Sequence, residues 1–227
     1  MKVIDQSWEW MQKPLLPLEL IEQAGRTCYK SEDLITPDSA RGFVQRIMAR
    51  GHESVIEHVS ASVKFITDRG VTHELVRHRL CAFSQESTRY CNYGGDHLTF
   101  IRPVWMEIKT PVILDGAPIQ VDPIPDGAWF QAMSASEAYY KYLLLNGWRP
   151  EQARAVLPNS LKTEIVVTAN VREWRHIFNL RCSKAAHPQI RELMLSCLVG
   201  FWQTVPVLFD DLAEKYLEQP LKSSRQS

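Results

Sequence analysis

The chain has 227 residues, 45% of them hydrophobic, and its 26 lysines and arginines are balanced by 26 aspartates and glutamates. A chain of this length can bury one sizeable core, so we predict a single domain over residues 1–227 with a frayed tail at residues 221–227. The balanced charge excludes a global electrostatic field that would draw the protein to nucleic acid or to a membrane surface.

The N-terminal residues contain no apolar signal region, and no stretch approaches the ~18 consecutive apolar residues that span a membrane. We therefore expect a cytoplasmic protein. The 5 cysteines are odd in number and form no Cys-x-x-Cys pair, which argues against a disulfide framework or a zinc ribbon.

The first part of the chain predicts a strand, two helices and a second strand. Residues 2–6 are a candidate strand, and residues 17–28 approximate the helical spacing of apolar side chains. A second helix is predicted, with Thr36 as its cap and proline at its first position. We expect it to end at Gly51. Apolar and polar residues alternate over residues 59–65, which predicts a half-buried strand.

The second part of the chain is mainly helical. Residues 103–125 are rich in proline, and Asp115 followed by glycine predicts a hairpin at a sheet edge. A β-branched strand is predicted over residues 165–168. Helices are predicted over residues 128–146, 150–156, 171–182 and 188–204. Because helices outweigh scattered strands, we predict an α+β fold with a modest, mainly antiparallel sheet and several long helices.

Residues 72–90 hold the densest group of cationic and hydrogen-bonding side chains. They contain Arg77-His78-Arg79, and Ser87 and Arg89 follow closely. On a continuing helix the two outer residues of the triplet would point to nearly opposite faces, because side chains advance by ~100° per residue. The triplet converges only if the helix ends there, which the turn-favouring residues 84–88 allow. A solvated basic helix end and an anion-binding site both remain open.

Arg181 occupies an unusual place on the helix predicted over residues 171–182. When this helix is projected at ~100° per residue, Arg181 falls within the arc of its apolar side chains. That arc consists of Val171, Trp174, Ile177 and Phe178, and the polar side of the helix is occupied by Arg172, Arg175, His176 and Asn179. Arg181 therefore either extends its charged end to water at the helix terminus or meets a ligand in a pocket.

The order Arg-His-Arg, seven residues, Ser, one residue, Arg resembles the signature of the flavin-dependent thymidylate synthase family. Three further segments resemble landmarks of that family in the same order along the chain. They are residues 51–58, residues 153–158, and residues 170–181 with Asn170-Val171-Arg172 and Asn179-Leu180-Arg181. The matching blocks lie within residues 51–190, which is most of the chain.

The resemblance implies a methyltransferase of nucleotide biosynthesis that converts dUMP to dTMP. Its carbon donor would be 5,10-methylenetetrahydrofolate, and NADPH would supply the hydride through reduced FAD. Since no Gly-x-Gly-x-x-Gly occurs, FAD would be held by an arginine-rich surface instead of a Rossmann turn. The resemblance also implies a homotetramer whose active sites lie between subunits.

The family's motif positions assign roles to individual residues. Arg181 matches the catalytic arginine that lies against the uracil ring, where its donors would stabilise negative charge as C5 becomes nucleophilic. Arg89 and Arg154 match the bidentate donors to the phosphate of dUMP. The implied dUMP set is Glu74, Arg77, Gln85, Glu86, Ser87, Thr88, Arg89, Arg154 and Arg181. The implied FAD set is Ser54, Arg77, His78, Arg79, Gln85, Asn170, Val171, Arg172 and His176.

Five positions depart from the commoner family pattern: Glu74, Ala82, Ser84, Gln85 and His176. A carboxylate at Glu74 would repel a phosphate, so we expect it to face the base or the ribose. Arg172 and His176 are four residues apart on a predicted helix, so they share a face and can address one ligand.

Two other functions remain open from the residues alone. A metal-dependent hydrolase would use the histidines at 52, 58, 73 and 78, but His73 and His78 are not spaced four apart like the ligand pair of His-Glu-x-x-His zinc enzymes. A nucleotide- or RNA-binding module would combine the arginines with Phe83, Tyr90 and Tyr93. The balanced overall charge of the chain disfavours such a module. We expect no metal and no nucleic acid.

Cys81 raises the question of a cysteine nucleophile. It follows Arg79 by two residues, so we expect electropositive, partly exposed surroundings that would favour a thiolate. The family signature contains Ser87 and arginines but no cysteine, and Ser87 would itself need a positioned base such as His78. The resemblance therefore implies chemistry without an obligatory cysteine adduct.

Overall fold

The computed structural model describes residues 1–95, 97–107, 112–113 and 125–217, with only the backbone of residues 112–113. The hairpin predicted at Asp115 and the tail predicted to fray at residues 221–227 lie outside the described residues. Among the described residues, no helix is both long enough and apolar enough to cross a membrane.

Seven strands form two sheets in the described part of the chain. The three-stranded sheet has the order β5-β1-β6, in which β1 pairs parallel with β5 and antiparallel with β6. The four-stranded sheet has the order β2-β3-β7-β4. The strands are β1 Lys2–Ile4, β2 Ser7–Gln12, β3 Ser60–Asp68, β4 Ala82–Gln85, β5 Thr99–Ile101, β6 Val112–Ile113 and β7 Lys162–Asn170.

Eight α-helices account for most of the remaining described residues. They are α1 Pro17–Tyr29, α2 Ser39–Ala49, α3 Arg69–Leu75, α4 Pro125–Leu145, α5 Pro150–Ala153, α6 Val171–Arg181, α7 Pro188–Thr204 and α8 Pro206–Tyr216. Short 3-10 helices cover Glu32–Leu34, Glu53–His58 and Arg154–Val156. The predicted α+β fold with a modest sheet and long helices is confirmed.

Several element boundaries differ from the prediction. The strand predicted over residues 2–6 ends at Ile4, and a second strand begins at Ser7. The second helix begins at Ser39, not at its predicted cap Thr36, whose backbone N–H donates to the Ser39 hydroxyl at 2.9 Å. The helix α8 was not predicted at all.

The chain divides into two compact units, which we describe separately. Unit 1 consists of Met1–Ser7, Phe65–Arg77 and Phe83–Val166, and unit 2 of Trp8–Lys64, His78–Ala82 and the chain from Val167 onward. The long strands β3 and β7 contribute residues to both. The single domain predicted over residues 1–227 stays a prediction.

Each unit has an apolar core of its own. In unit 1 the buried side chains include Val3, Phe100, Phe130 and Tyr140, drawn from the small sheet and α4. In unit 2 the ring of Phe201 on α7 lies 4.9 Å from Trp174 on α6 and 5.3 Å from Phe209 on α8, measured between ring centroids. This aromatic cluster holds α6 in place.

Arg175 corrects the predicted polar face of α6. It belongs to the polar side of the helical projection, but it is only 6% exposed. Its guanidinium donates to both carboxylate oxygens of Asp211, at 2.8 and 2.6 Å, and to the backbone carbonyl of Leu208. The prediction was wrong because α8, which the sequence pattern did not reveal, covers that side of the helix.

Candidate active site

The arginine-histidine triplet lies beyond the end of α3, as its convergence requires. The helix ends at Leu75, and the N–H of Cys81 donates to the carbonyl of His78 at 3.1 Å in the turn that follows. His78 is 5% exposed, whereas Arg77 and Arg79 on either side of it are exposed. The chain therefore buries the imidazole and leaves both guanidinium groups accessible.

In unit 2, three residues of α6 surround the buried imidazole of His78. Nε of Arg181 donates to Nε2 of His78 at 3.1 Å, and Nδ1 of His78 lies 3.6 Å from Oε1 of Glu173. The ring of His176 meets His78 edge-on, with 5.7 Å between centroids. Burial, followed by the charges of Arg181 and His176, lowers the pKa of His78 to about 4. His78 is therefore a neutral hydrogen-bond acceptor for Arg181 at neutral pH.

The start of α6 positions these groups. The side chain of Asn170 caps the helix by accepting from the N–H of Glu173 at 2.9 Å, which fixes the first turn. The predicted apolar arc is confirmed, since Val171, Trp174, Ile177 and Phe178 have no exposed surface. Arg181, at the C-terminal end of that face, is partly exposed and bonded to His78.

A cavity of about 700 Å³ opens in unit 2 beside this group. Its lining residues are Glu53, Glu57, Leu80, Asn170, Arg172, Glu173, Arg175, His176 and Asn179. Arg172 and His176 both line it, so the prediction that they share one face is confirmed. Arg172 contacts Glu57 at 2.5 Å and Glu53 at 3.7 Å. Of the implied FAD set, Asn170, Arg172 and His176 thus face one space.

Other members of the implied FAD set lie elsewhere. Ser54 is exposed on the 3-10 helix Glu53–His58. Val171 is fully buried, and its N–H donates to the carbonyl of Val59 at 2.8 Å. Neither residue lines the cavity.

One group of described residues has the composition and spacing of a metal site. Ligand atoms of His78, Glu173 and His176 all lie within 4.8 Å of one another. It contains none of the other histidines that motivated the metal-dependent hydrolase, His52, His58 and His73. A neutral imidazole has one lone pair, and Arg181 already uses that of His78, so a metal ion would have to displace the arginine from it.

In unit 1, two members of the implied dUMP set are brought together from distant parts of the chain. Nη1 of Arg154 donates to the hydroxyl of Thr88 at 3.2 Å. Thr88 is 5% exposed, while Arg154 is exposed on its 3-10 helix. The buried Thr88 hydroxyl thus holds one terminal nitrogen of an arginine that is otherwise exposed.

Gln85 and Glu86 have partners inside unit 1. Nε2 of Gln85 donates to the hydroxyls of Thr72 and Thr163, at 3.0 and 3.3 Å. Glu86 accepts from the hydroxyl of Tyr93 at 2.8 Å and from Nζ of Lys162 at 3.3 Å. These contacts hold the two side chains where β4 ends.

The remaining predicted residues of unit 1 are accessible or turn-forming. Arg89 is exposed, with its guanidinium 5.5 Å from the ring centroid of Tyr90. The hydroxyl of Ser87 accepts from the backbone N–H of Arg89 at 3.2 Å. The backbone N–H of Arg77 donates to the carbonyl of Glu74 at 3.3 Å.

Known proteins are similar to this chain over most of its length. A sequence model described as thymidylate synthase complementing protein matches residues 12–207. Three proteins named flavin-dependent thymidylate synthase are among the relatives. That of Mycolicibacterium vanbaalenii is 37% identical over 211 residues, or 85% of this chain and 78% of its own. That of Corynebacterium efficiens is 35% identical over 210 residues, with the same shares of 85% and 78%. That of Geobacter sulfurreducens is 32% identical over 212 residues, or 90% and 85%.

The chain belongs to the flavin-dependent thymidylate synthase family. The predicted family and the predicted enzyme class, a methyltransferase, are therefore confirmed. A solved structure shares the fold of this family member: that of a UMP/dUMP methylase, PolB from Streptomyces cacaoi, bound with 5-Br dUMP. It aligns with a TM-score of 0.73 and 21% identity over 95% of this chain and 98% of its own.

For this family member, the structure corrects the predicted surroundings of Cys81. Burial raises the pKa of the Cys81 thiol to about 12, and the nearby Glu173 carboxylate raises it further in the same direction. The expected electropositive surroundings are wrong because α6 places this carboxylate near the thiol. Cys81 is therefore a protonated thiol at neutral pH.

The structure also shows site neighbours that the sequence analysis missed. Glu173 adjoins His78, and Tyr93 and Lys162 hold Glu86. Glu173 lies three residues after the helix cap Asn170, so the cap was the available signal for its placement. No local pattern marks Tyr93 and Lys162, since their contacts with Glu86 depend on the fold.

Proposed function

We propose that the protein catalyses the reductive methylation of dUMP to dTMP. 5,10-Methylenetetrahydrofolate donates the one-carbon unit, NADPH supplies the hydride, and FAD is the bound cofactor. The observation that carries the proposal is the contact between Arg181 and His78, which joins two motifs of the family in one site. It supports a role for the matching catalytic arginine in this chain.

Arg181 would activate the uracil ring. A guanidinium has five N–H donors and stays protonated, and His78 accepts only the one on Nε. Donors from the terminal nitrogens can meet the imide of uracil and stabilise the negative charge that develops as C5 attacks the one-carbon unit. Because His78 is neutral, its contact with Arg181 adds no negative charge to the guanidinium.

The phosphate of dUMP would be bound by Arg154 and Arg89. Arg154 is held at one end by Thr88, which limits its rotation and preserves the geometry that a bidentate phosphate contact needs. Arg89 is exposed and positioned over Tyr90. Arg77, Glu74 and residues 85–88 would complete the nucleotide site.

The cavity in unit 2 fits part of a flavin. Asn170, His176 and Asn179 can hydrogen-bond the polar edge of its ring or its ribityl chain, and Leu80 offers apolar contact. Three carboxylates and two arginines line the cavity, so it does not favour a diphosphate. The exposed Arg77 and Arg79 are suited to the diphosphate. When bound, FAD transfers the hydride of NADPH to the one-carbon unit.

We also propose that the protein is a cytoplasmic homotetramer with active sites between subunits. The exposed arginines at 77, 79, 89 and 154 are too many for one small pocket. Several subunits would place them around separate parts of the ligands.

The absorption spectrum of the purified protein tests this proposal. We expect the bands of oxidised flavin, their bleaching by NADPH, and dTMP formation that requires dUMP and methylenetetrahydrofolate together. Omitting each co-substrate in turn is the control. A colourless protein that takes up no added FAD would contradict the proposal.

A further inference from the structure

We infer that Glu173 is a positioning residue of the active site: its carboxylate keeps the proton of His78 on Nδ1, so that Nε2 can fix the guanidinium of Arg181. This inference rests on the proposed function for the role of Arg181. It assigns a task to a residue to which the family's motif positions give no role.

The contact between Arg181 and His78 determines where the imidazole proton lies. Arginine can only donate hydrogen bonds, so Nε2 of His78, at 3.1 Å from Nε of Arg181, must be the acceptor. A neutral imidazole carries one proton, which must then lie on Nδ1. Nδ1 lies 3.6 Å from Oε1 of Glu173, a distance at which the carboxylate attracts this proton without a direct hydrogen bond. The other tautomer would turn two donors toward each other.

Glu173 is built into its place. Its side chain is 8% exposed, and burial raises its pKa, an effect that the charge of His176 only partly offsets. A buried carboxylate is costly without a compensating partner, and Nδ1 of His78, which carries the proton, lies 3.6 Å from Oε1. The Asn170 cap fixes its backbone, and a negative charge is favourable in the first turn of a helix.

Burial and the charges of Arg181 and His176 keep the imidazole of His78 neutral. Glu173 also faces the imidazole from α6, and Cys81 lies in the same segment as His78 with a protonated thiol. Because the pKa of His78 is lowered to about 4, the imidazole does not become a competing cation at neutral pH.

The contact with His78 holds Arg181 through a neutral group. A neutral imidazole fixes Nε without adding a charge, and Glu173 acts one residue further away by selecting the tautomer. Such supporting contacts typically change activity by about 10- to 100-fold when lost.

The inference is tested by the tautomer of His78 and by the kinetics of two variants. Protein labelled with 15N-histidine should show, in long-range 1H–15N spectra, one histidine protonated on Nδ1 that stays neutral down to pH 5.5. The variant His78→Gln identifies its signal. Glu173→Leu should convert the signal to a mixture of tautomers, and Glu173→Gln, whose amide oxygen can still accept, should keep the Nδ1 form.

The rate of dTMP formation should also be affected more by Glu173→Leu than by Glu173→Gln. Glu173→Leu should lower kcat for dTMP formation about 10- to 100-fold with bound flavin retained, and Glu173→Gln should lower it less. The matched control is Glu214→Gln on the exposed surface of α8. Wild-type His78 protonated on Nε2, or Glu173→Leu with unchanged tautomer and kcat, would overturn the inference. The spectra require no turnover, so they test the inference even if the protein makes no dTMP.

Discussion

At the scale of single residues, Arg181 is a cation held by a neutral partner. Three other arginines with buried or half-buried side chains meet carboxylates: Arg175 binds Asp211, Arg26 binds Glu22 and Arg102 binds Asp5. Arg181 donates to His78, whose pKa is too low for protonation at neutral pH. This contact fixes the guanidinium without adding a charge to it.

The first prediction concerns Arg181→Ala. Removing a donor that stabilises developing charge should lower the rate of dTMP formation at least ~100-fold, while the flavin spectrum is largely retained. The measurement is single-turnover formation of dTMP together with bound flavin per subunit. Arg41→Ala, at an exposed position on α2, is the matched control. Near-normal turnover of Arg181→Ala would mean that the arginine only extends its charge to water.

The second prediction concerns the cysteines. The pKa of Cys81 is raised to about 12, so hardly any thiolate exists at neutral pH. The double variant Cys81→Ser with Cys91→Ser should therefore keep turnover within about tenfold, or ~1.4 kcal/mol of barrier. If the variant bound FAD and dUMP but formed no dTMP, a cysteine adduct would be part of the mechanism.

At the scale of elements, α6 carries both support and chemistry. One side packs Trp174 and Phe178 into the aromatic cluster of unit 2, and the other presents Arg172 and His176 to the cavity. The position of the helix depends on α7 and α8, whose phenylalanines pack against it. Mutations that disturb the packing of α7 or α8 should therefore displace α6 and alter the active site.

The third prediction tests the packing of α7 against the edge strand β2. A Cβ on Gly200 would lie 2.2 Å from Cη2 of Trp8, whose Nε1 donates to Ser196 and so cannot easily move. Gly200→Ala should lower the free energy of unfolding by ~1–3 kcal/mol, the usual cost of overpacking. Urea unfolding followed by fluorescence measures it.

Gly42 on α2 provides the opposite control. A Cβ there would meet only Nη1 of Arg46 at 3.6 Å, an ordinary contact. Gly42→Ala should therefore stabilise by ~0.5–1 kcal/mol, since alanine favours the helix interior. If Gly200→Ala were as stabilising as Gly42→Ala, the contact with Trp8 would be absent in solution.

At the scale of the whole molecule, the fourth prediction is a homotetramer. Sedimentation velocity at catalytic concentrations should give one species of four chains, and dilution should reduce activity as the assembly dissociates. Exposed arginines of one subunit would then complete the site of another. An active monomer would contradict this arrangement.

The sequence by itself indicated the family, most of the helices and the residues of the motifs. The apolar period of residues 188–204 predicted α7 with its observed bounds, because a helix with one buried face carries that period in its own sequence. The projection that placed Arg181 on the apolar arc was also correct, since it depends only on helical geometry. The motif Arg77-His78-Arg79 with Ser87 and Arg89 indicated the family directly.

Only the tertiary structure decided which motif residues meet and what their charges are. Arg154 reaches Thr88 across 66 positions, and Arg181 reaches His78 across 103; no local pattern encodes such distances. The burial of Arg175 was missed because the helix that covers it, α8, escaped detection. The electropositive surroundings expected for Cys81 were wrong for a related reason. A pKa depends on burial and on every nearby charge, and the carboxylate of Glu173 becomes a neighbour only when α6 has folded against it.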